Sequence, residues 1–190
     1  MTRLVVFASG SGSNFEAIAT ASENGTLEAH IVGLICDHQD ATCLTRAQNH
    51  HIPSMLFLRT NYDSKAAMDQ AILQQVQAWQ ADWIILAGYM RILTPVLLSA
   101  YPKRILNIHP SLLPKYKGKD ALGQALAHHD TVVGVSVHYV DEGMDTGEII
   151  AQRSFTIDPT QDRSEIEKTL HHIEHELYPL VIQRLIKENP

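Results

Sequence analysis

The residues best suited to chemistry are Asn107 and His109, at the end of an apolar run that is followed by Pro110. If this run is a strand, its two-residue period places both side chains on one face. Pro110 cannot donate to a neighbouring strand and keeps His109 out of the helical region, so the strand ends here. An amide donor beside a group that moves protons near neutral pH suits addition to a carbonyl. A capped strand end with a structural histidine is the simpler alternative.

A carboxylate that could serve the same site is Asp145, in the glycine-containing loop 141–147 after a predicted strand. The flanking glycines allow the backbone to bring this side chain close to another group. A carboxylate beside His109 would hold one imidazole tautomer and favour the imidazolium. An aspartate that only stabilises its own turn explains the pattern equally well.

A small-residue loop, Ser-Gly-Ser-Gly-Ser-Asn at residues 9–14, follows the first predicted strand and precedes a helical pattern from Phe15. The dinucleotide-binding fingerprint needs a third glycine where Phe15 stands, and the lysine of a nucleotide-triphosphate loop is missing. The remaining possibility is a cradle for one phosphate at a helix start. A tight turn without a ligand is about as consistent with the sequence.

The chain has 190 residues, 45% of them hydrophobic, which predicts one domain, 1–190, with a buried core. Strands are predicted at residues 4–8, 30–36, 54–58, 83–88, 105–109, 132–140 and 148–157. Helices are predicted from residue 15 and at 41–50, 61–79, 95–99, 121–127 and 163–187, the third capped near Asn61 or Tyr62. This alternation predicts an α/β fold with a mostly parallel, twisted sheet flanked by helices.

Several function classes are disfavoured by composition. The net charge is −6 and no basic run exceeds two residues, so no nucleic-acid partner is expected. Two cysteines do not suggest a disulfide framework, and no apolar run is long enough for a membrane span, so a cytoplasmic protein is expected. His171, His172 and His175 lack the zinc-protease spacing, and no metal is expected.

Segments 9–14, 107–114 and 134–147 together resemble the folate-dependent formyltransferases, and the similarity extends from about residue 5 to residue 180. The glycine loop is similar to the branch of that family that formylates glycinamide ribonucleotide. The resemblance implies a Rossmann-like formyltransferase fold. It also implies formyl transfer from 10-formyltetrahydrofolate to the ribonucleotide amine, in purine synthesis and without a metal.

The resemblance also implies three sets of site residues. Catalysis would belong to Asn107, His109 and Asp145. The ribonucleotide would contact Gly12, Ser13, Asn14, His171, His172, Ile173 and Glu174. The folate would contact Lys65, Met90, Arg91, Ile92, Leu93, Asn107, Asp141, Glu142, Gly143, Met144 and Asp145. Some family members carry arginine at the position of Lys65, so a bidentate grip on the folate glutamate would be lost here.

Other functions remain open at the level of sequence. A related enzyme could formylate another amine, or could use water as the acceptor and act as a formyltetrahydrofolate deformylase. A catalytically inactive nucleotide-binding module would have the same fold. Small molecules are the expected partners, and either a monomer or a homodimer agrees with the sequence.

Overall fold

Short apolar and β-branched runs form the strands, because such residues suit a sheet that is buried on both faces. In the computed structural model, which describes residues 1–158 and 160–189, seven strands form one sheet. The strands are β1 (Thr2–Ala8), β2 (Ala29–Cys36), β3 (Ser54–Leu56), β4 (Trp83–Leu86), β5 (Ile105–His109), β6 (Val132–Tyr139) and β7 (Ile149–Thr156).

The sheet order is β3-β2-β1-β4-β5-β6-β7. Neighbouring strands from β3 to β5 are parallel, whereas β6 is antiparallel to both β5 and β7. The prediction of a mostly parallel sheet flanked by helices is therefore confirmed. The chain builds outward from β1 in one direction and from β4 in the other, so the loops after these two strands diverge. Such a divergence leaves a crevice at the carboxyl ends of the strands.

Helices cover both faces of the sheet: α1 (Ser13–Glu23), α2 (Thr42–Asn49), α3 (Lys65–Ala78), α4 (Pro95–Ala100), α5 (Ala121–Ala127) and α6 (Arg163–Glu188). Side chains of β1 alternate between the two layers. Leu4 and Val6 pack in the cluster that contains α1, α2, α5 and α6, whereas Val5 and Phe7 pack in the cluster that contains α3 and α4. Among the described helices, none combines the length and apolar character needed to cross a bilayer.

Most elements begin and end within about two residues of the predicted bounds, but two helix starts differ. The third helix was predicted to have its cap at Asn61 or Tyr62, and this is wrong: Asn61 ends a short 3-10 turn, and α3 begins after Ser64. The Ser64 hydroxyl accepts a hydrogen bond from the Ala67 amide at 3.0 Å, which is the usual capping arrangement. Helix α1 begins at Ser13, before the predicted Phe15, and this places its first turn in the glycine loop.

Candidate active site

A cleft of about 750 Å³ opens where the loops after β1, β4 and β5 meet the first half of α6. The first two loops are joined directly. The Ser9 amide donates to the Gly88 carbonyl at 3.2 Å, and the Met90 amide donates to the Ser9 hydroxyl at 2.9 Å. These two hydrogen bonds fix the positions of the first two loops relative to each other.

One end of the cleft is formed by the glycine loop. Gly12 caps α1 with a φ of 70°, a left-handed conformation that side chains disfavour. A Cβ at Gly12 would also lie 2.6 Å from the Cβ of Cys43. Because Gly12 has no side chain to bond the first amides of α1, those donors face the cleft together with the positive end of the helix dipole. This geometry suits a bound phosphate.

Beside this loop, a buried carboxylate joins α1 to α6. Glu174 is only 5% exposed, and its Oε2 accepts a hydrogen bond from Asn14 Nδ2 at 3.2 Å. The same oxygen lies 3.4 Å from Nδ1 of His171, and the bond to Glu174 raises the pKa of His171 above its ordinary value despite burial. Two predicted ribonucleotide contacts, His171 and Glu174, thus lie together beside the glycine loop.

Two other predicted ribonucleotide contacts do not line the cleft. Successive residues of a helix point about 100° apart, so the turn that directs His171 and Glu174 inward directs His172 and Ile173 elsewhere. His172 is exposed, with Nε2 3.2 Å from Glu176 Oε1, and Ile173 packs in the core. The expected contact of His172 and Ile173 with a ligand in the cleft does not agree with these positions.

The central part of the cleft brings together the three predicted catalytic side chains. Asp145 Oδ2 lies 3.4 Å from Nδ1 of His109, and Asp145 Oδ1 accepts from Asn107 Nδ2 at 3.5 Å. The Gly118 amide donates to Oδ2 at 2.8 Å. Burial acts to raise the pKa of Asp145, but hydrogen bonds from His138 and Gly118 and the histidine charges outweigh it and lower that pKa. The carboxylate therefore stays ionised near neutral pH.

The other nitrogen of the His109 ring is also occupied. His109 Nε2 lies 2.9 Å from the backbone carbonyl of Tyr116, and a carbonyl can only accept a hydrogen bond. The proton of this contact therefore belongs to Nε2. Nδ1, whose 3.4 Å contact with Asp145 is long for a charge-assisted bond, remains the nitrogen that can exchange a proton with a ligand.

Part of the wall of the cleft is an apolar rim. Met90, Ile92 and Met144 are large apolar side chains that line the cleft and are nevertheless exposed. Arg91 stands among them, with Nη1 4.0 Å from the buried carboxylate of Asp37. An exposed apolar patch with one fixed cation is typical of a binding surface for a flat, partly charged ligand.

The remaining predicted folate contacts divide into two groups. Leu93, Asp141 and Gly143 line the cleft, whereas Lys65 and Glu142 do not. Asp141 Oδ1 accepts from the Gly143 amide at 3.0 Å and from the Thr146 hydroxyl at 2.6 Å, so Asp141 shapes the loop that carries Asp145. Lys65 lies at the start of α3. Burial raises the pKa of Asp69, and the positive charges of Arg91 and Lys65 act to lower it. Within residues 1–158 and 160–189, no group of His, Cys, Asp and Glu side chains is arranged to hold a metal ion.

Comparisons with known proteins show the family to which the chain belongs. The model of the formyl transferase family matches residues 2–182. The chain belongs to the formyl transferase family. A relative, phosphoribosylglycinamide formyltransferase of Bacillus subtilis (strain 168), is 48% identical over 189 residues, which covers 100% of this chain and 97% of that protein.

Two crystal structures show that this formyl transferase shares its fold with solved proteins. Glycinamide ribonucleotide transformylase 1 from Geobacillus kaustophilus matches with a TM-score of 0.95 and 51% identity, over 97% of this chain and 98% of that chain. Phosphoribosylglycinamide formyltransferase from Bacillus halodurans matches with a TM-score of 0.96 and 41% identity, over 100% of this chain and 97% of that chain.

One side chain of this formyl transferase site was missed by the sequence analysis. His138 faces Asn107 across the antiparallel pair of β5 and β6, and its Nδ1 contacts the Tyr139 carbonyl at 2.7 Å. Because that carbonyl can only accept, Nδ1 carries a proton, and Nε2 lies 3.2 Å from Asn107 Nδ2 and 3.6 Å from Asp145 Oδ1. The signal was the even spacing of Ser136 and His138 along β6, but their strand partner could not be known from the sequence.

Proposed function

We propose that this chain transfers the formyl group of 10-formyltetrahydrofolate to the amine of glycinamide ribonucleotide, in de novo purine (IMP) biosynthesis. The products would be formylglycinamide ribonucleotide and tetrahydrofolate. The observation that carries the proposal is that Asn107, His109 and Asp145 contact one another and line the same cleft as a phosphate-type loop and an apolar rim. The similarity to a phosphoribosylglycinamide formyltransferase and to a glycinamide ribonucleotide transformylase supports this acceptor. Residues 1–190 would act as one formyltransferase domain, as a monomer or homodimer, in the cytoplasm.

The acceptor would bind at the glycine-loop end of the cleft. Its phosphate would accept hydrogen bonds from the first amides of α1, at Gly12, Ser13 and Asn14, where the helix dipole favours an anion. Glu174 carries a buried carboxylate that lines this cleft, and it would accept from the amine or a ribose hydroxyl. His171 would add a positive charge at the edge of the phosphate site.

The formyl donor would bind against the apolar rim of the cleft. Met90, Ile92 and Met144 would cover the flat pterin ring and exclude water from it. Arg91 is available to a carboxylate of the folate tail, since its contact with Asp37 is at the 4.0 Å limit of an ion pair. Lys65 would attract the negative charge on the part of the folate tail that extends beyond the cleft.

The reaction would start with attack of the ribonucleotide amine on the formyl carbon, which gives a tetrahedral intermediate with a negative oxygen. Asn107 Nδ2 would donate to that oxygen through the N–H that here makes only the 3.5 Å contact with Asp145. One such donor is typically worth about 3–4 kcal/mol of the barrier. Collapse of the intermediate breaks the bond between the formyl carbon and N10 of the folate.

Proton balance requires one proton to leave the attacking amine and one to reach N10. His109 would carry it, through Nδ1, because Nε2 is held by the Tyr116 carbonyl. Asp145 would orient the ring and stabilise its positive charge. General acid–base help of this kind is commonly worth about 10²–10⁴-fold in rate. No step in this scheme uses a metal or a redox cofactor.

The test is a folate-absorbance assay of the purified protein with 10-formyltetrahydrofolate, run with and without glycinamide ribonucleotide. Turnover only with the ribonucleotide is the expected result. Folate release without the ribonucleotide would instead identify water as the acceptor. No release in either case would refute the proposed reaction.

A further inference from the structure

A residue outside the cleft is linked to the catalytic histidine through a single tyrosine. We propose that Asp130 is a positioning residue for formyl transfer, which acts through the Tyr116 hydroxyl to hold the carbonyl that fixes the His109 ring. The inference deepens the proposed function and rests on the role given there to His109.

The Tyr116 carbonyl depends on an unfavourable backbone conformation. Tyr116 has a φ of 55°, in the left-handed region that a residue with a side chain disfavours. This conformation aims the carbonyl at His109 Nε2, which lies 2.9 Å away. Strained residues of this kind persist only where neighbouring contacts hold them.

Asp130 supplies that contact. The Tyr116 hydroxyl donates to Asp130 Oδ2 at 2.9 Å, and the tyrosine ring lies 5.4 Å from the His128 ring. Asp130 itself is anchored just after α5, where its amide donates to the Ala125 carbonyl at 3.0 Å. The carboxylate therefore connects the fixed end of a helix to the segment that orients His109.

The hydroxyl bond is needed because the tyrosine has room to move. A second cavity, of about 300 Å³, lies behind the His109 loop and is lined by Tyr116 and Asp130. Without the bond, the ring can shift into this cavity and carry its carbonyl away from Nε2. His109 would then lose its fixed tautomer and orientation, and the fraction of rings with Nδ1 correctly placed would fall.

The positions of Tyr116 and Asp130 also separate the expected effect on kcat from any effect on substrate binding. Neither Tyr116 nor Asp130 lines the cleft that would hold the two substrates. Loss of the Tyr116–Asp130 bond should thus lower kcat and leave both KM values unchanged. Loss of a residue that merely stabilised the fold would not lower kcat selectively and leave the KM values unchanged.

The first test compares Asp130→Ala, Tyr116→Phe and the double variant with the wild-type enzyme. Each single change should lower kcat about two- to tenfold, the factor that corresponds to one net hydrogen bond. The double variant should be no slower than either single variant, because both remove the same bond. Asp130→Asn, whose amide oxygen can still accept from the hydroxyl, should restore most of kcat. Lys115→Met is the matched control, since Lys115 Nζ contacts the same carboxylate at 3.2 Å from the exposed side.

The second test measures the tautomer by NMR of ¹⁵N-histidine-labelled protein, with His109 signals identified by their loss in His109→Gln. The wild type should show the proton of the neutral ring on Nε2, and Tyr116→Phe should show a mixture of tautomers. Unchanged kcat in both single variants, or a double variant whose losses multiply, would overturn the inference, as would an unchanged tautomer. If the wild type formylates no amine, the proposed function fails, but the NMR comparison still decides whether Asp130 holds His109.

Discussion

The carboxylate of Asp145 lies 3.4 Å from Nδ1 of His109, although one comes from a loop and the other from the end of β5. The loop reaches this position because Asp145 adopts a left-handed φ of 52° and its carboxylate accepts from the Gly118 amide. The contact leaves Nδ1 between a fixed negative charge and the cleft. A proton on Nδ1 can therefore be stabilised by Asp145 and still be passed to a bound molecule.

Asp145→Asn should lower kcat about 10²- to 10⁴-fold, because the imidazole loses the charge that stabilises its protonated form. Ribonucleotide affinity, measured by calorimetry, should stay nearly unchanged, because Asp145 contacts His109, Asn107 and Gly118 rather than the glycine loop. Glu148→Gln, which removes an exposed carboxylate after the same loop, is the matched control. Normal kcat with weakened ribonucleotide binding would contradict the assigned role.

Ser13→Asp should weaken ribonucleotide binding roughly 10- to 100-fold, because it places a negative charge near the bound phosphate. The same negative charge at the first turn of α1 interacts favourably with the helix dipole, so the melting temperature should not fall. Ser13→Asn has nearly the same shape without the charge and should bind almost normally. Equal affinities for the two variants would rule out a phosphate at this helix start.

Gly12→Ala should destabilise the protein by about 1–3 kcal/mol, because alanine disfavours the φ of 70°. Its Cβ would also come within 2.9 Å of the Cα of Cys43, which is fully buried. Urea unfolding measures the change. Gly10→Ala is the control for stability, since a Cβ at Gly10 meets nothing within 4 Å. Similar unfolding midpoints for the two variants would show that the loop is not constrained as described.

His50→Gln should lower the free energy of unfolding at pH 6, and the loss should be smaller near pH 9. His50 contacts Glu23 at 2.7 Å and Glu16 at 3.0 Å, which tie the end of α2 to α1. Burial acts to lower the pKa of His50, but the bonds and charges of these glutamates outweigh it and raise that pKa. A raised pKa stabilises the folded state fully below the ordinary value of about 6.5, and this contribution disappears as pH rises through the raised value.

Chemical unfolding at both pH values measures the difference between wild type and His50→Gln. The difference should shrink at the higher pH, and a difference that grows would reverse the assigned sign. His30→Gln, at an exposed position on β2, corrects for general effects of losing an imidazole.

The strand that carries Asn107 and His109 was predictable because its evidence is local. The period of two places Asn107 and His109 on one face, and Pro110 ends the strand whatever the rest of the chain does. The glycine loop was recognisable for the same reason, although the sequence alone left a simple turn equally plausible. Only the structure places the buried Cβ of Cys43 against Gly12 and so explains why glycine is needed there.

Features that depend on pairing or helix phase were not predictable in the same way. His138 enters the site because β6 is antiparallel to β5. The residues of one strand do not show which strand it pairs with or in which direction. The family resemblance assigned His172 and Ile173 to the same contact segment as His171 and Glu174, but the helical turn directs the two pairs to different sides. The Tyr116 carbonyl is a backbone group, so no residue type could have indicated it.

The bond from Asn14 to Glu174 joins the first helix of the chain to its last. During synthesis the glycine loop therefore leaves the ribosome long before the carboxylate that completes its side of the cleft. A nascent chain without α6 would bind the ribonucleotide weakly, and docking of α6 would create the full affinity. By mass action the ribonucleotide would then favour the docked helix, so that a substrate of the enzyme would also assist the last step of its folding.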